Sequence, residues 1–349
     1  MTEYRKIQLR QMTAAQWVTN NPILLQGEQG VETDTHRVKI GDGTSTWVQL
    51  AYVEDMQIPA KIAAGTYQGT DLAVKFAGEI AAGNYSSTQA WLHARIQARN
   101  YTGIYPHDYF TVACSAATIA GNNVQAQNRK IVIADIEPYR LCGDSEPFLR
   151  NHITCFFKIA EAIQWNENNN NNGTESETNP WRSSKLFAVM NGVDNAASNY
   201  GGDVGYDAEN AGYLQTLPAD LQSYIQEQRV YLDKRYSGTA LLTENNGNVW
   251  AGRGKLFAPS EVEMYGCPIF SAGTDGSHNN AARGPYKQFD VFKKAGENGR
   301  IYFDRTSLWS SSVVEGSSSN ACNVYSHGYA GGSGTSSTII RALACFHMS

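Results

Sequence analysis

Charge is what this sequence has least of. Asp, Glu, Lys and Arg make up 17% of its 349 residues, against about a quarter in an ordinary soluble domain. That shortfall excludes charge-driven disorder, a long surface coiled coil and a helical solenoid rich in Glu and Lys. The 28 basic and 33 acidic residues leave a net charge of -5, and no Lys/Arg block interrupts the chain. A nucleic-acid clamp therefore has no electrostatic footprint, and no nucleic-acid partner is expected. Long apolar runs are missing too. No stretch approaches the roughly 18 residues of a membrane helix, and the opening MTEYRKIQLRQMTAAQW has no apolar signal core. Neither membrane insertion nor Sec export is expected. The six cysteines are widely and irregularly spaced, with no CxxC and no zinc-ligand spacing, which predicts mostly free, buried thiols. The spacing leaves a Cys322–Cys345 bridge open.

Catalytic signatures are equally sparse. GxGxxG, GxxxxGKS, GxSxG, HExxH and the EF-hand spacing are all absent, and the seven histidines are scattered. His107–Asp108 and His152 bind a metal only if the fold brings them together. Ser260-Glu261-Val262-Glu263 sets two carboxylates at i and i+2, one face of a strand, where an acid pair or a cation site is conceivable. The plainer reading is a structural, hydrogen-bonded histidine for the former and a helix cap or a satisfied buried carboxylate for the latter. The expectation is a protein without cofactor, without metal and without catalysis.

What is present is neutral polarity: 32 Gly and 19 Tyr, with abundant Ser and Asn. From Tyr4 to Val53, short extended runs separated by Gly, Asn and Asp read as hairpins. In HRVKIGDGTSTWVQL, Val38 and Ile40 alternate with Arg37 and Lys39 to give one apolar face. Gly41-Asp42-Gly43 reverses the chain, and Trp47 returns to the same layer. Residues 56–100 form a joint with a helix opening near Ser86–Thr88. From residue 101 onward, KIVIADIEPY and HITCFFKI read as strands. Asn168 to Asn172 reads as a solvated rim loop, and WRSSKLFAVMN and Leu217–Gln228 as helices. A strand pair surrounds an Asn246-Gly247 turn. The body is thus α+β.

The tail is the most informative segment. Between Thr306 and Ile340 only Glu315 carries a full charge, while Ser, Gly, Asn and Tyr dominate. Such a mixture is that of a paratope, in which Tyr gives amphipathic contact area and the small polar residues give adaptable hydrogen bonds. Leu308-Trp309 and Ile339–Phe346 bound it with apolar strands, so a linker is a poor description.

Two resemblances follow from these residues. Ile23 to Glu28, Glu32 to Thr35, and Lys39 to Gly43 followed by Trp47 and Leu50 resemble a module of bacteriophage tail fibres and of major tropism determinant proteins. Asn171–Gly173, Asn179-Pro180-Trp181, Arg235-Tyr236, Pro259–Glu263 and Leu308–Ser312 resemble phage and prophage variable proteins. Those end in a C-type-lectin-like domain diversified by a retroelement. The resemblance implies an α+β fold in which a small β-rich N-terminal domain (1–55) precedes a connecting segment (56–100). A C-type-lectin-like domain (101–349) follows, with a variable segment at about 308–345. It implies ligand-binding residues Val313, Glu315, Asn320, Asn323, Tyr325, His327 and Tyr329. It also implies scaffold residues Trp47, Trp181, Glu261, Glu263, Trp309 and Arg341. The calcium- and sugar-binding Glu-Pro-Asn or Gln-Pro-Asp tripeptide of true C-type lectins is absent, so calcium-dependent sugar binding is not expected. The implied protein is a homotrimer of a phage virion, made in the bacterial cytoplasm and bound to other tail proteins, that attaches to a host-cell surface protein or glycan. The alternatives are a structural tail component and a glycan-active enzyme.

Overall fold

The computed structural model describes residues 9–144, 149–173, 175, 177–192, 211–237, 240–241, 248–272, 287–293 and 306–349. These form a mixed α/β protein with several sheets, divided into two units, Met1–Phe110 and Thr111–Ser349.

In the first unit β1 (Arg10–Met12), β2 (Gln29–Glu32) and β3 (Val38–Ile40) make one sheet, β2 running parallel to β1 and antiparallel to β3. Thr13 opens α1 (Ala14–Asn20) with a capping box to Gln16. The helix carries Trp17 onto Trp47, the rings stacked 4.0 Å apart, and Leu24, Leu50 and Tyr52 complete a small core. Gly30 lies against both indoles, where a β-carbon would sit 2.5 Å from Trp47. Only glycine allows that approach.

The alternation in β3 is the reverse of the sequence expectation. Lys39 is buried, while Val38 and Ile40 are half-buried. The Lys39 Nζ donates to the Trp47 carbonyl at 2.8 Å and lies 4.3 Å over the Tyr52 ring. Burial lowers its pKa to about 8, with Glu32 and Glu79 opposing that shift. Counting Lys as an outward residue fails because an ammonium with a carbonyl and two aromatic faces, those of Trp47 and Tyr52, is satisfied indoors.

Short helices follow: α2 (Ile58–Ala63), α3 (Leu72–Lys75), α4 (Ala77–Ala82) and α5 (Thr88–Gln97). The α5 helix starts where expected, capped by Ser87, and packs Trp91 against Phe76. Its Arg95 pairs with Glu79 at 2.6 Å.

The unit boundary falls within β4 (Tyr109–Cys114), which is followed by the β5 (Ala117–Ile119) and β6 (Asn122–Val124) hairpin. The expected strands appear as β7 (Gln127–Ile136) and β8 (Ile153–Ile159). Ser184 caps α6 (Lys185–Asn191), so that helix starts later than Trp181. Two short helices, α7 (Tyr213–Thr216) and α8 (Ala219–Tyr224), replace the longer one expected at Leu217–Gln228. Pro218 is the cap of α8, and its last turn gives way to β9 (Ile225–Gln226) because Ile225 and Gln226 pair with Met348 and His347. Tertiary pairing here overrides helical pattern. Strand β10 (Arg229–Asp233) is followed by β11 (Tyr236–Ser237) and β12 (Ala240–Leu241), which pair with each other, and by β13 (Asn248–Gly252), which pairs with β10. The Asn246-Gly247 turn lies outside the described residues. Helix α9 (Glu261–Tyr265) precedes the terminal strands β14 (Leu308–Val313), β15 (Asn320–Val324), β16 (Ala330–Gly334) and β17 (Arg341–Met348).

The main sheet runs β16-β15-β14-β17-β8-β7-β4, with β9 beside the end of β17. Only β14 and β17 are parallel neighbours among the registered pairs within it. β8 and β17 are central and buried almost throughout, as their largely apolar sequences require. Peripheral β4 alternates between buried and exposed. All six cysteines are free thiols, Cys322 and Cys345 included.

A polar cluster threads this core. His347 contacts Thr154 and Gln228, each at 3.0 Å, and its ring stands 5.4 Å from that of His152. Burial lowers the His152 pKa to about 4, and burial together with the Arg253 charge drives that of His347 well down. Both rings are therefore neutral at pH 7.

Two expectations follow. Replacing Trp17 with Ala removes a fully buried ring and costs the first unit about 3–5 kcal/mol, readable by urea denaturation; a loss under 1 kcal/mol would contradict the stacking account. The histidines bind protons more readily in the unfolded chain. The His152 contribution to stability is therefore complete above about pH 6.5 and lost as pH falls through about 4, and His347 acts in the same direction. Asp135, raised to about 6 by burial, works in the opposite sense. Ring proton shifts should show His152 and His347 unprotonated between pH 8 and 5, whereas a midpoint near 6.5 would overturn the assignment.

Candidate functional site

A stretch rich in Ser, Gly and Asn has little apolar surface to bury, so its backbone must be held by hydrogen bonds. Strand β14 is fixed by two indoles: Trp309 donates to the Ile163 carbonyl at 2.7 Å, and Trp165 to the Ser310 carbonyl at 3.0 Å. The following turn is gripped from inside by Arg235, itself fully buried. Its guanidinium donates to the carbonyls of Ser317 and Val314 at 2.8 and 2.9 Å and pairs with Asp233. Asn171 Nδ2 donates to the carbonyls of Ser317, at 2.8 Å, and Asn320. Its backbone N–H donates to the Ser318 carbonyl.

Beyond β16, buried Thr335 receives the Asn170 N–H at 3.0 Å and donates its hydroxyl to the Asn168 carbonyl at 2.7 Å. Asn169 accepts from the Ser336 hydroxyl at 2.7 Å. The Asn run is therefore not the solvated excursion expected from composition. Asn168 and Asn169 are exposed, but Asn171 and Asn172 are buried against the terminal segment. Composition hides this because the carbonyl partners lie about 150 residues away in sequence.

The two clustered carboxylates are not on a strand. They lie on α9, where Ser260 and Glu263 form a reciprocal capping box. Glu263 also accepts from Tyr139 and Arg253, at 2.6 and 2.8 Å. Glu261 accepts the backbone N–H groups of Ile269, Phe270 and Ser271 and the Ser271 hydroxyl. Its own N–H donates to Ser312 Oγ at 2.9 Å. Both carboxylates are buried and committed to internal donors, which is the cap and satisfied-carboxylate role. The Glu261 grip sets 269–271 beside the terminal segment: Ser271 bridges to Val314, and the Glu315 N–H donates to the Phe270 carbonyl at 2.9 Å. At the end of α9, the Tyr265 hydroxyl donates to the Gly328 carbonyl.

On this frame Glu315, Tyr325, His327 and Tyr329 are exposed. The Tyr325 and His327 rings are parallel with centroids 5.9 Å apart, and Tyr329 meets His327 edge-on at 4.5 Å. Gly331 lies beneath Tyr325, where a β-carbon would come within 2.2 Å of the ring. Asn320 is half-buried. Val313 and Asn323, expected on the surface, are buried. Val313 pairs with Ala321 inside the sheet, and Asn323 uses its amide to reach Ser333 across β16. Both strands lie inside the main sheet and are buried along almost their whole length, so neither residue reaches the surface. Among the expected scaffold residues, Trp47, Trp181 and Trp309 are buried, with the Trp181 indole donating to the Arg253 carbonyl. Arg341 is half-buried, and its N–H donates to the Ser307 carbonyl.

Tyr265, Ile269 and Phe270 border the same surface and carry no signal in spacing; the only cue is an apolar pair just past the Gly266-Cys267-Pro268 turn. His107 packs edge-on against Tyr67 in the first unit, and His152 against His347 in the second. Among the described residues no group of three or more His, Cys, Asp and Glu is placed to hold a metal ion. No helix among them is long and apolar enough to cross a membrane.

Residues 7–45 match the major tropism determinant N-terminal domain. Two curated relatives are similar over short spans. A hyaluronoglucosaminidase of Streptococcus pyogenes phage H4489A is 44% identical over 48 residues, 14% of this chain and 13% of that protein. A hyaluronoglucosaminidase of Streptococcus pyogenes phage H10403 is 37% identical over 51 residues, 15% of each. The chain thus spans only a small part of those relatives. No solved structure matches.

The bracing account assigns opposite fates to neighbouring residues. Asn171→Ala strips a buried donor from two carbonyls and is expected to cost about 1–3 kcal/mol. Tyr329→Ser, on the exposed edge, stays within about 0.5 kcal/mol. Chemical denaturation of both variants checks this, and equal losses would contradict it.

Proposed function

We propose that the protein is a receptor-binding component of a phage or prophage tail, displaying the β14–β16 surface on a C-type-lectin-like body for attachment to a host cell. One observation carries the reading: Glu315, Tyr325, His327 and Tyr329 project from a segment whose backbone is braced by buried Arg235 and Asn171 and half-buried Tyr265, all outside their own turns. Side chains so supported can change without disturbing the frame. The match of residues 7–45 to the major tropism determinant N-terminal domain supports the virion setting.

In this reading the protein binds without chemistry. Glu261 and Glu263, the only carboxylate pair singled out in the sequence, are spent on backbone and side-chain donors, not held free in a cleft. A homotrimer attached to other tail proteins would present three copies of the surface, and linkage of that kind raises avidity by roughly 10²–10⁴. Weak single sites are then sufficient. A host-surface protein or glycan is the partner. The second reading, a glycan-active enzyme, draws on the short similarity to the phage hyaluronoglucosaminidases; release of unsaturated or reducing ends from hyaluronan by the purified chain would support it.

The test is attachment. Fluorescently labelled chain is titrated onto a panel of bacterial isolates, and the triple variant Tyr325→Ser, His327→Ser, Tyr329→Ser is compared on every isolate that binds. At least a tenfold loss is expected with an unchanged melting temperature. Undiminished binding would overturn the assignment of this surface.

A further inference from the structure

The strip at Ile269-Phe270 lies next to the terminal surface without belonging to it. Ile269 and Phe270 are 50% and 43% exposed, as much as Tyr325 and Tyr329 at 38% and 50%. Exposed apolar side chains of this size are unremarkable singly; grouped at the edge of an uncharged surface they mark an interaction site. Their position is built, not incidental. The buried Glu261 carboxylate takes the N–H groups of Ile269, Phe270 and Ser271 at 2.7, 3.0 and 2.9 Å, and the Phe270 carbonyl receives the Glu315 N–H. All the backbone donors of the strip point inward at a charge, so its side chains are turned outward on a backbone that cannot relax. Such preorganisation lowers the entropy lost on binding.

We propose that Ile269 and Phe270 form a fixed apolar ledge of the recognition surface, and that with Glu315 they select a protein partner presenting an apolar side chain flanked by Lys or Arg. The proposal rests on the reading of the β14–β16 surface as the binding face. Charge complementarity chooses the partner. From Tyr265 to Ala272 no residue carries a charge, and Thr306 to Ile340 adds only Glu315. A surface so neutral repels no apolar group. These two stretches hold no Lys or Arg for a phosphate- or carboxylate-rich polymer, and their single anion, bonded through its backbone to Phe270, complements one base. A ledge supplied from outside the terminal segment also means that changes in that segment adjust specificity around a constant anchor.

A random twelve-residue peptide library is panned on the full chain, and a glycan array is probed in parallel. Enriched peptides are expected to carry an aromatic or large aliphatic residue near Lys or Arg. Phe270→Ser and Ile269→Ser should each weaken them at least tenfold with unchanged melting temperature, and Glu315→Gln should weaken them and flatten their salt dependence. If Tyr325→Ser and Tyr329→Ser abolish binding while Phe270→Ser and Ile269→Ser do not, the ledge is overturned and the terminal surface stands. If none of the four reduces binding, the reading of the surface itself fails. Glycan binding with no enriched peptide, or no binder in either arm, overturns the protein-partner assignment.

Discussion

The second unit depends on one constraint: the carbonyls and N–H groups of a hydroxyl- and glycine-rich segment must be satisfied without help from its own exposed side chains. Arg235, Asn171 and Glu261 meet that constraint from outside or beneath it, each buried and each aimed at main chain of the segment or of the neighbouring strip, and buried Thr335 ties the segment to the backbone of Asn168 and Asn170. Indole donors from Trp165 and Trp309 do the same for the strand that leads in. The cost of burying these polar groups is offset because almost every donor they bring meets an acceptor.

A separation of duties follows. Residues that define the backbone are amide, guanidinium, carboxylate and indole, and they bond to atoms every amino acid possesses. Residues that face outward, Tyr325, His327 and Tyr329, pack on one another at the surface. A surface organised this way can vary in chemistry while its shape is retained, which is the property the proposed recognition role needs. The first unit uses a different device at smaller scale. There a stacked Trp pair and a buried Lys39 over aromatic rings hold three short strands together.

Much of this was legible in the sequence, and the boundary of legibility is physical. Apolar-rich runs announced β7 and β8, Ser87 and its following apolar residues announced α5, and the charge-poor tail announced an unusual surface. Lys39 was misread because periodicity sorts by residue type and cannot see an aromatic pocket formed by Trp47 and Tyr52. The Asn run was misread because a side-chain amide looks the same whether it faces water or a carbonyl far along the chain. Helix α8 stopped early because strand pairing with β17 competed for Ile225. Val313 and Asn323 are placed outward by the resemblance, whereas β14 and β15 are buried along almost their whole length on both faces. The Ile269-Phe270 strip could not be read at all, since its meaning lies in what Glu261 grips.

The account's central claim is that the turns of the terminal segment keep their form irrespective of the side chains they display. Amide hydrogen exchange decides it most directly, in a chain bearing Glu315→Ser, Tyr325→Ser, His327→Ser and Tyr329→Ser together. The account predicts that the N–H groups of Val314 and Thr335, whose acceptors are the internal carbonyls of Asn320 and Ser319, keep their protection within about threefold. Loss of that protection, with these amides exchanging as in an open loop, would contradict it.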